Sequence, residues 1–278
     1  MSFKIVVDSC CDLPENFRKD DRFAVVPLIL QIDDYSIVDD DTFDQADYLA
    51  KVAASDNCAR TACPSPELFM EAYNCDADDI YVVTLSSKLS GSYNSALLGK
   101  NLYHEEYGEK NIYIADSLSA CCGETQIAKK LFELAQSGLS FQEIIPEIEK
   151  FRDEMLTYFV LDSLNTLRKN GRLTGMKAIV ATTLNIKPVC CGVKGEIVQK
   201  SQGIGIRKAL MKMTDIVAGE IKNAEEKTLM ITHVNCFERA CVVRDILMKK
   251  IPFKDSIIVD AAGVATTYAG DGGIVVTC

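Results

Sequence analysis

The chain has 278 residues, of which 48% are apolar and 25% charged, so it is long enough for two modest globular domains. Its formal net charge of −10 argues against nucleic-acid binding, because the release of counterions from phosphates needs a basic surface. No apolar run approaches the ~20 residues that span a bilayer, and Met1–Lys4 leads into a predicted strand without a secretory signal. We therefore expect a cytoplasmic protein without stable membrane insertion.

Predicted strands and helices alternate along the first half of the chain. Apolar runs predict strands at Lys4–Asp8, Phe23–Ile32, Asp79–Leu85 and Asn111–Asp116. Helical spacing of apolar residues predicts helices at about Thr42–Ala54, Ser65–Asn74, Gly91–Tyr107, Ser119–Ser137 and Ser140–Glu154. The last of these helices opens with a capping box formed by Ser140 and Glu143. Strands separated by helices of this length indicate a parallel α/β sheet.

The organisation changes after residue 155. Strands are predicted at Thr157–Leu161, Lys187–Val193, Glu196–Lys200, Thr228–Val234, Ser256–Asp260 and Gly273–Thr277. Helices are predicted at Leu164–Asn170, Met176–Leu184, Arg207–Ala224 and Phe237–Lys250. The short turn at Lys194 and Gly195 requires its two strands to pair antiparallel. We predict an α/β domain over residues 1–155 and an α+β domain over residues 156–278, with a cleft between them.

Neither the cysteines nor the acidic residues have the spacing of a metal site. The twelve cysteines include three vicinal pairs, at Cys10, Cys121 and Cys190 with their following residues, and no Cys-x-x-Cys motif. We interpret them as small buried residues in a reducing compartment. The acidic stretch Asp33–Asp41 lacks calcium-loop spacing and is interpreted as a solvated loop. No metal or cofactor is predicted.

The segment Ser86–Ala96 carries five serines and a glycine between a predicted strand and a predicted helix. In open α/β sheets, ligands bind at the carboxyl ends of strands, where free backbone N–H groups and the positive helix end face the crevice. A row of serine hydroxyls beside such donors suits a small anionic head group. The alternative is an ordinary serine cap on a loop, but one cap needs fewer hydroxyls than this segment has.

A second segment, Arg60–Phe69, places an extended threonine-containing stretch before a helix start at Ser65 and Pro66. Its Thr-x-x-Pro-Ser-Pro-x-x-Phe motif and the Ser-Ser-x-Leu-Ser-Gly-x-Tyr-x-Ser-Ala motif of Ser86–Ala96 together resemble the DegV family of bacterial lipid-binding proteins. Further pieces follow in the family's order, at Asp8–Pro14, Val26–Leu28, Asp116–Ser117, Leu161–Leu164, Leu167–Leu173 and Lys187–Pro188. The resemblance runs nearly from end to end.

This resemblance implies the two-domain DegV fold with a lipid site between the domains. It implies a long-chain fatty acid whose carboxylate is held by the Thr61 and Ser90 hydroxyls and by an N–H near Gly91, with Ser92 beside them. Cys63 stands in the Thr61 loop where the family usually has a polar residue. Tyr268 stands where the family typically has a histidine, and its phenol can donate a hydrogen bond.

The resemblance also implies a non-catalytic role, in which the lipid-loaded protein presents the fatty acid to a separate ATP-dependent kinase subunit for acyl phosphate formation. Members of the family dock that kinase with closely spaced arginines after the position of Lys200. Here the stretch Gln202–Ile206 interrupts the pattern and leaves Arg207 and Lys208. The alternatives are a lipid sensor or buffer without a catalytic partner, and a hydrolase acting alone. The hydrolase lacks support, since Gly-x-Ser-x-Gly is absent and the chain has two histidines.

Overall fold

The computed structural model describes residues 2–173 and 185–278, and the predicted helix at Met176–Leu184 lies outside these residues. The strands are β1 (Phe3–Asp8), β2 (Phe23–Val26), β3 (Ile29–Ile32), β4 (Tyr35–Val38), β5 (Arg60–Ala62), β6 (Asp79–Thr84), β7 (Asn111–Asp116), β8 (Thr157–Val160), β9 (Ile186–Val193), β10 (Glu196–Ile204), β11 (Thr228–His233), β12 (Asp255–Asp260) and β13 (Ile274–Thr277). The helices are α1 (Glu15–Arg18), α2 (Gln45–Ala54), α3 (Pro66–Tyr73), α4 (Ser92–Tyr107), α5 (Cys122–Gln136), α6 (Phe141–Glu154), α7 (Asn165–Lys169), α8 (Ile206–Glu220), α9 (Phe237–Lys250) and α10 (Gly263–Ala269).

The first sheet confirms the predicted parallel α/β arrangement. Its strands run in the order β2-β1-β6-β7, and all neighbouring strands are parallel. Helices α3 and α4 cover one face, and α5 and α6 cover the other. Because both faces are covered, β6 is buried along its whole length, as its continuous apolar sequence predicts. The capping box of Ser140 and Glu143 opens α6 as expected.

The second sheet has six strands in the order β10-β9-β8-β13-β11-β12. Every neighbouring pair is antiparallel except β11 and β12, so the predicted largely antiparallel sheet is confirmed. Lys194 and Gly195 both have positive φ, of 50° and 83°, which suits a tight turn that follows the twist of the strands it joins. Helices α8 and α9 pack on one face around Met213, Val217 and Leu247.

The predicted strand at Phe23–Ile32 is wrong, because the chain changes sheets at Pro27. The segment before Pro27 pairs with β1, whereas β3 forms a small antiparallel sheet with β4 and β5. Proline has no N–H to continue the ladder, and the next N–H, of Leu28, donates instead to the Ser9 hydroxyl at 3.0 Å. The first sheet thus ends where the small sheet begins.

The interpretation of Asp33–Asp41 as a solvated loop is also wrong in part. Residues Tyr35–Val38 form β4, and Asp39 is buried. The Asp39 carboxylate accepts the N–H groups of Gly263 and Val264 at 2.7 and 3.0 Å, so it caps the start of α10. No sequence pattern near Asp39 indicates this partner, because it lies more than two hundred residues away.

Helix α5 connects the two large sheets. It packs on β1 and β6 of the first sheet and on β11 and β13 of the second. The Cys122 N–H donates to the Thr232 hydroxyl at 3.2 Å, and the Thr125 hydroxyl donates to the Asp12 carbonyl at 3.0 Å. The division into domains at residues 1–155 and 156–278 therefore stays a proposal, since one helix of the first part belongs to both cores.

The cysteines occupy mainly interior positions. All twelve are free thiols, and the three vicinal pairs are buried, as the sequence predicts. Across residues 2–173 and 185–278, none of the helices combines the length and the apolar character needed to cross a membrane. The same residues hold no group of three or more side chains arranged to bind a metal ion.

Candidate functional site

An apolar cavity lies between the loops of the first sheet and the face of the second. It encloses about 810 Å³ of empty space, part of which opens to solvent. Its walls are mostly apolar side chains from both halves of the chain, including Leu85, Leu118, Phe159, Leu161, Ile197, Val264 and Val275. A space lined in this way suits an apolar ligand.

Two of the predicted site residues are hydrogen bonded across this cavity's wall. Thr61 lies on β5 and Tyr268 on α10, and their hydroxyl oxygens are 3.2 Å apart. Both side chains line the cavity. A ligand carboxylate can accept from both hydroxyls, because each carries its own hydrogen. The structure therefore brings together two donors that are 207 residues apart in the sequence.

The predicted serine loop supplies a third cavity hydroxyl. Ser90 lines the cavity and precedes α4, whose N-cap is Gly91. The Ser90 oxygen accepts the Ser92 N–H at 3.2 Å and lies 3.0 Å from the Ser92 hydroxyl. The start of a helix carries free N–H groups and a partial positive charge, both of which favour an anion. Thr61, Ser90 and Tyr268 are called the cavity hydroxyls below.

Gly91, Ser92 and Cys63 are not among the residues that line the cavity. Ser92 is fully buried, and Cys63 is exposed with its sulfur 3.9 Å from the Ser95 hydroxyl. A Cβ atom at Gly91 would lie 3.0 Å from the Cys63 sulfur, so glycine allows the Thr61 segment and the serine loop to approach closely. The predicted ligand contacts of these three residues stay predictions.

Sequence reasoning missed Arg172, a cation that lines the cavity. Its Nε donates to the Leu89 carbonyl at 3.1 Å, immediately before Ser90 in the chain. The guanidinium thus lies on the serine-loop side of a mainly apolar space. The signal in the sequence is a basic residue between the apolar Leu167 and Leu173, a pattern that many surface segments share.

Two buried carboxyl groups hold the helix that carries Tyr268. Asp12 accepts the Ala262 N–H at 2.7 Å and the Thr232 hydroxyl at 2.8 Å, next to the Asp39 cap of α10. Burial raises the pKa of Asp12 to about 7 and the pKa of Asp39 to about 6, because desolvation disfavours the ionised forms. These two residues fix α10 and therefore the position of Tyr268.

The family model described as an uncharacterised protein of the DegV family matches residues 2–277. A DegV domain-containing protein of Streptococcus gordonii is 34% identical over 280 residues, which cover 99% of this chain and 98% of that protein. The chain belongs to the DegV family. Its predicted family membership and fold class are thereby confirmed.

Solved DegV structures share this fold over their full length. A DegV-family protein of Ruminococcus gnavus, refined with vaccenic acid, is 50% identical with a TM-score of 0.98, and each chain is covered completely. The fatty acid kinase (Fak) B3 protein of Streptococcus pneumoniae, loaded with linoleic acid, is 30% identical with a TM-score of 0.90 over 100% of this chain and 99% of that one. A Eubacterium eligens DegV protein loaded with heptadecanoic acid is 28% identical with a TM-score of 0.91 over the same shares.

Proposed function

We propose that this DegV-family protein binds one long-chain fatty acid in the cavity, with the carboxylate at the cavity hydroxyls and the acyl tail among the aliphatic walls. The observation that carries the proposal is the cavity itself, whose lining is mainly apolar and includes the hydroxyls of Thr61, Ser90 and Tyr268. The fatty acids bound to the related proteins of Ruminococcus gnavus and Streptococcus pneumoniae support the same ligand class.

The acyl tail supplies most of the affinity. Each methylene transferred from water to an apolar site gains about 0.8 kcal/mol, so sixteen carbons gain on the order of 10 kcal/mol before ordering costs. The cavity walls contain leucine, isoleucine, valine, alanine and phenylalanine, which offer the tail no competing polar partner. A ligand with a short chain would lose most of this favourable transfer free energy. The cavity should therefore bind long acyl chains more tightly than short ones.

The head group is fixed by hydrogen bonds to an ionised acceptor, which are the stronger kind. Thr61 donates from β5, Ser90 from the serine loop and Tyr268 from α10, and the partial positive charge at the start of α4 favours the same anion. Tyr268 serves as a neutral donor in place of the family's histidine. The cavity thereby binds a carboxylate without needing a metal or a cofactor.

The protein's role is to carry the fatty acid rather than to transform it. The relative from Streptococcus pneumoniae is a fatty acid kinase (Fak) B3 protein, and this supports presentation of the bound acid to a separate kinase subunit. We assign acyl phosphate formation to that partner, in the cytoplasm. A lipid sensor or buffer without a partner is the second candidate, because the stretch Gln202–Ile206 separates Arg207 and Lys208 from Lys200.

Mass spectrometry of lipids extracted from the purified protein tests ligand binding. We expect a fatty acid of fourteen to eighteen carbons at close to one per protein, a range that the family resemblance implies. Delipidated protein should also bind vaccenic acid in a titration. Protein that is isolated without lipid and takes up no fatty acid contradicts the proposal.

The double substitution Thr61→Val with Ser90→Ala tests the head-group assignment. Two lost bonds to a charged acceptor, at roughly 1.5–3 kcal/mol each, weaken vaccenic acid binding by two orders of magnitude or more. Ser65→Ala is a matched control, since Ser65 lies outside the cavity lining and its side chain makes no capping hydrogen bond to the backbone of α3. An unchanged affinity in the double variant would move the carboxylate elsewhere.

A kinase assay separates the carrier from the sensor. The loaded protein is incubated with ATP and a bacterial fatty acid kinase subunit, and acyl phosphate is trapped with hydroxylamine. Product formation that depends on the loaded protein supports the carrier. A loaded protein that binds fatty acid and yields no acyl phosphate with any such subunit supports the sensor or buffer.

A further inference from the structure

The cavity contains a second pair of hydroxyl groups, besides the cavity hydroxyls already described. Ser119 lies shortly before α5 and Thr157 begins β8, and their hydroxyl oxygens are 2.8 Å apart. Both residues line the cavity, and Ser119 is only 4% exposed. Ser119 and Thr157, called the second hydroxyl pair below, are therefore a polar group within a mainly apolar lining.

The second hydroxyl pair has a hydrogen that its own contact does not use. Each hydroxyl carries one hydrogen and two lone pairs, and the bond between the two oxygens needs one hydrogen. Among the residues that the structure describes, neither oxygen has a further hydrogen-bonding partner. One hydroxyl hydrogen is thus available to an oxygen of a ligand. Buried polar groups are normally hydrogen bonded, so a partner is expected here.

A backbone carbonyl next to the pair offers an acceptor. The Leu118 N–H donates to the Asp116 carboxyl group at 3.2 Å, whereas the Leu118 carbonyl oxygen accepts no hydrogen bond from the described part of the chain. Leu118 lines the cavity and has a φ of 51°, a costly conformation for a residue other than glycine that is concentrated at functional sites. A donor and an acceptor together match an alcohol, which both accepts and donates.

Gly192 leaves the space between these groups open. It lies on β9 and lines the cavity. A Cβ atom at Gly192 would lie 3.5 Å from the Thr157 Cβ and 3.8 Å from the Leu118 carbonyl oxygen. A ligand group above this glycine therefore lies close to both the second hydroxyl pair and the carbonyl.

This part of the cavity is distant from the head-group end. Thr157, Phe159 and Leu161 alternate along β8 and line the cavity, and at roughly 3.3 Å per residue Thr157 lies about 13 Å from Leu161. Leu161 leads into α7, on which α10 packs with Tyr268. An extended chain of C–C bonds of roughly 1.5 Å advances about 1.3 Å per bond, so the second hydroxyl pair lies near about the tenth carbon of the acid.

We propose that the second hydroxyl pair and the Leu118 carbonyl form a subsite for a hydroxyl group near the middle of the acyl chain, so that the protein binds hydroxylated long-chain fatty acids as well as unsubstituted ones. This inference rests on the proposed fatty acid site, with the carboxylate at the cavity hydroxyls. The ligand hydroxyl accepts from Ser119 or Thr157 and donates to Leu118. These groups contact the tail, so they determine specificity and do not hold the head group.

Titration of delipidated wild-type protein with octadecanoic acid and 10-hydroxyoctadecanoic acid is the first test. In a wall without polar partners, a buried hydroxyl group would weaken binding by about tenfold or more. The subsite predicts that the 10-hydroxy acid binds within about threefold of octadecanoic acid, or more tightly. The isomer 2-hydroxyoctadecanoic acid carries its hydroxyl group beside the carboxylate and serves as the positional control.

The double substitution Ser119→Ala with Thr157→Val is the second test. It replaces both hydroxyl groups by apolar groups of similar shape, so neither is left without its partner, and thermal unfolding checks that the fold is kept. We expect about tenfold or more loss of affinity for the 10-hydroxy acid and less than about threefold change for the other two acids. Thr228→Val, outside the cavity lining, is the matched control and should change none of the three affinities.

The outcomes separate this subsite from the fatty acid site itself. Wild type that binds octadecanoic acid but binds the 10-hydroxy acid tenfold more weakly overturns the subsite and leaves the proposed function standing. A double variant that keeps the wild-type affinity for the 10-hydroxy acid, or loses all three acids equally, also overturns it. Wild type that binds none of the acids contradicts the proposed function, and the subsite is then wrong as well. If the double variant does not fold, the wild-type comparison decides.

Discussion

Removal of the Tyr268 hydroxyl tests the least conventional part of the site. Tyr268→Phe keeps the ring that packs against the core and removes the oxygen that lies 3.2 Å from Thr61. If this hydroxyl donates to the ligand carboxylate, its loss costs about 1.5–3 kcal/mol, or a 10- to 150-fold weaker affinity for vaccenic acid. The free energy of unfolding should change by about 1 kcal/mol or less, because a neutral pair loses one partner.

The assay is a titration of delipidated protein with vaccenic acid, with thermal unfolding measured on the same samples. Tyr35→Phe is the matched control, since Tyr35 lies exposed on β4 and outside the cavity lining. Thr61→Val completes a double-mutant cycle with Tyr268→Phe, and we expect a coupling of about 0.5–3 kcal/mol because the two hydroxyls are in contact. Wild-type affinity in Tyr268→Phe would show that the tyrosine only fills space and would refute this reasoning.

Three further predictions concern stability and cavity shape. Because the pKa values of Asp12 and Asp39 are raised, the folded protein binds more protons than the unfolded chain between about pH 4 and pH 7. The contribution of these two residues should therefore lower the melting temperature as the pH rises from 5 to 8. A melting temperature that rises over this range would contradict the prediction. Gly192→Ala should fold normally, because an added Cβ would lie in ordinary contact, 3.5 Å from the nearest atom of Thr157. Because Gly192 lines the cavity, the added methyl group should weaken the binding of an eighteen-carbon acid more than that of a twelve-carbon acid, and equal changes for both chain lengths would count against this prediction. Ser140→Ala should lower the free energy of unfolding by about 1 kcal/mol in chemical denaturation, and no loss would mean that the capping box is not needed.

Local sequence signals predicted the parts of the fold that depend on local interactions. The serine loop precedes α4 as expected, Pro66 begins α3, and the turn at Lys194 and Gly195 pairs two strands antiparallel. Each of these features is encoded by residues within one turn or one strand of one another. The serine loop with Ser90 was predicted as a ligand site from its place between a strand and a helix, whereas the role of Thr61 was implied by the resemblance to the DegV family.

The parts that sequence reasoning missed depend on contacts between distant residues. The burial of Asp39 follows from the start of α10, and the exchange of sheets at Pro27 follows from pairing with β4 and β5. Glu124 looks like an ordinary acidic residue in the first turn of a helix, yet the packing of α5 between the two large sheets buries it completely. Arg172 likewise lines the cavity next to the serine loop because its Nε donates to the carbonyl of Leu89, which is 83 residues away in the sequence.

A crystal structure of the protein loaded with vaccenic acid tests the central claim most directly. We predict continuous density for the acyl chain between the aliphatic walls, with carboxylate oxygens within hydrogen-bonding distance of the Thr61 and Ser90 hydroxyls. A cavity that stays empty at saturating vaccenic acid, or a carboxylate bound away from these hydroxyls, would contradict the account.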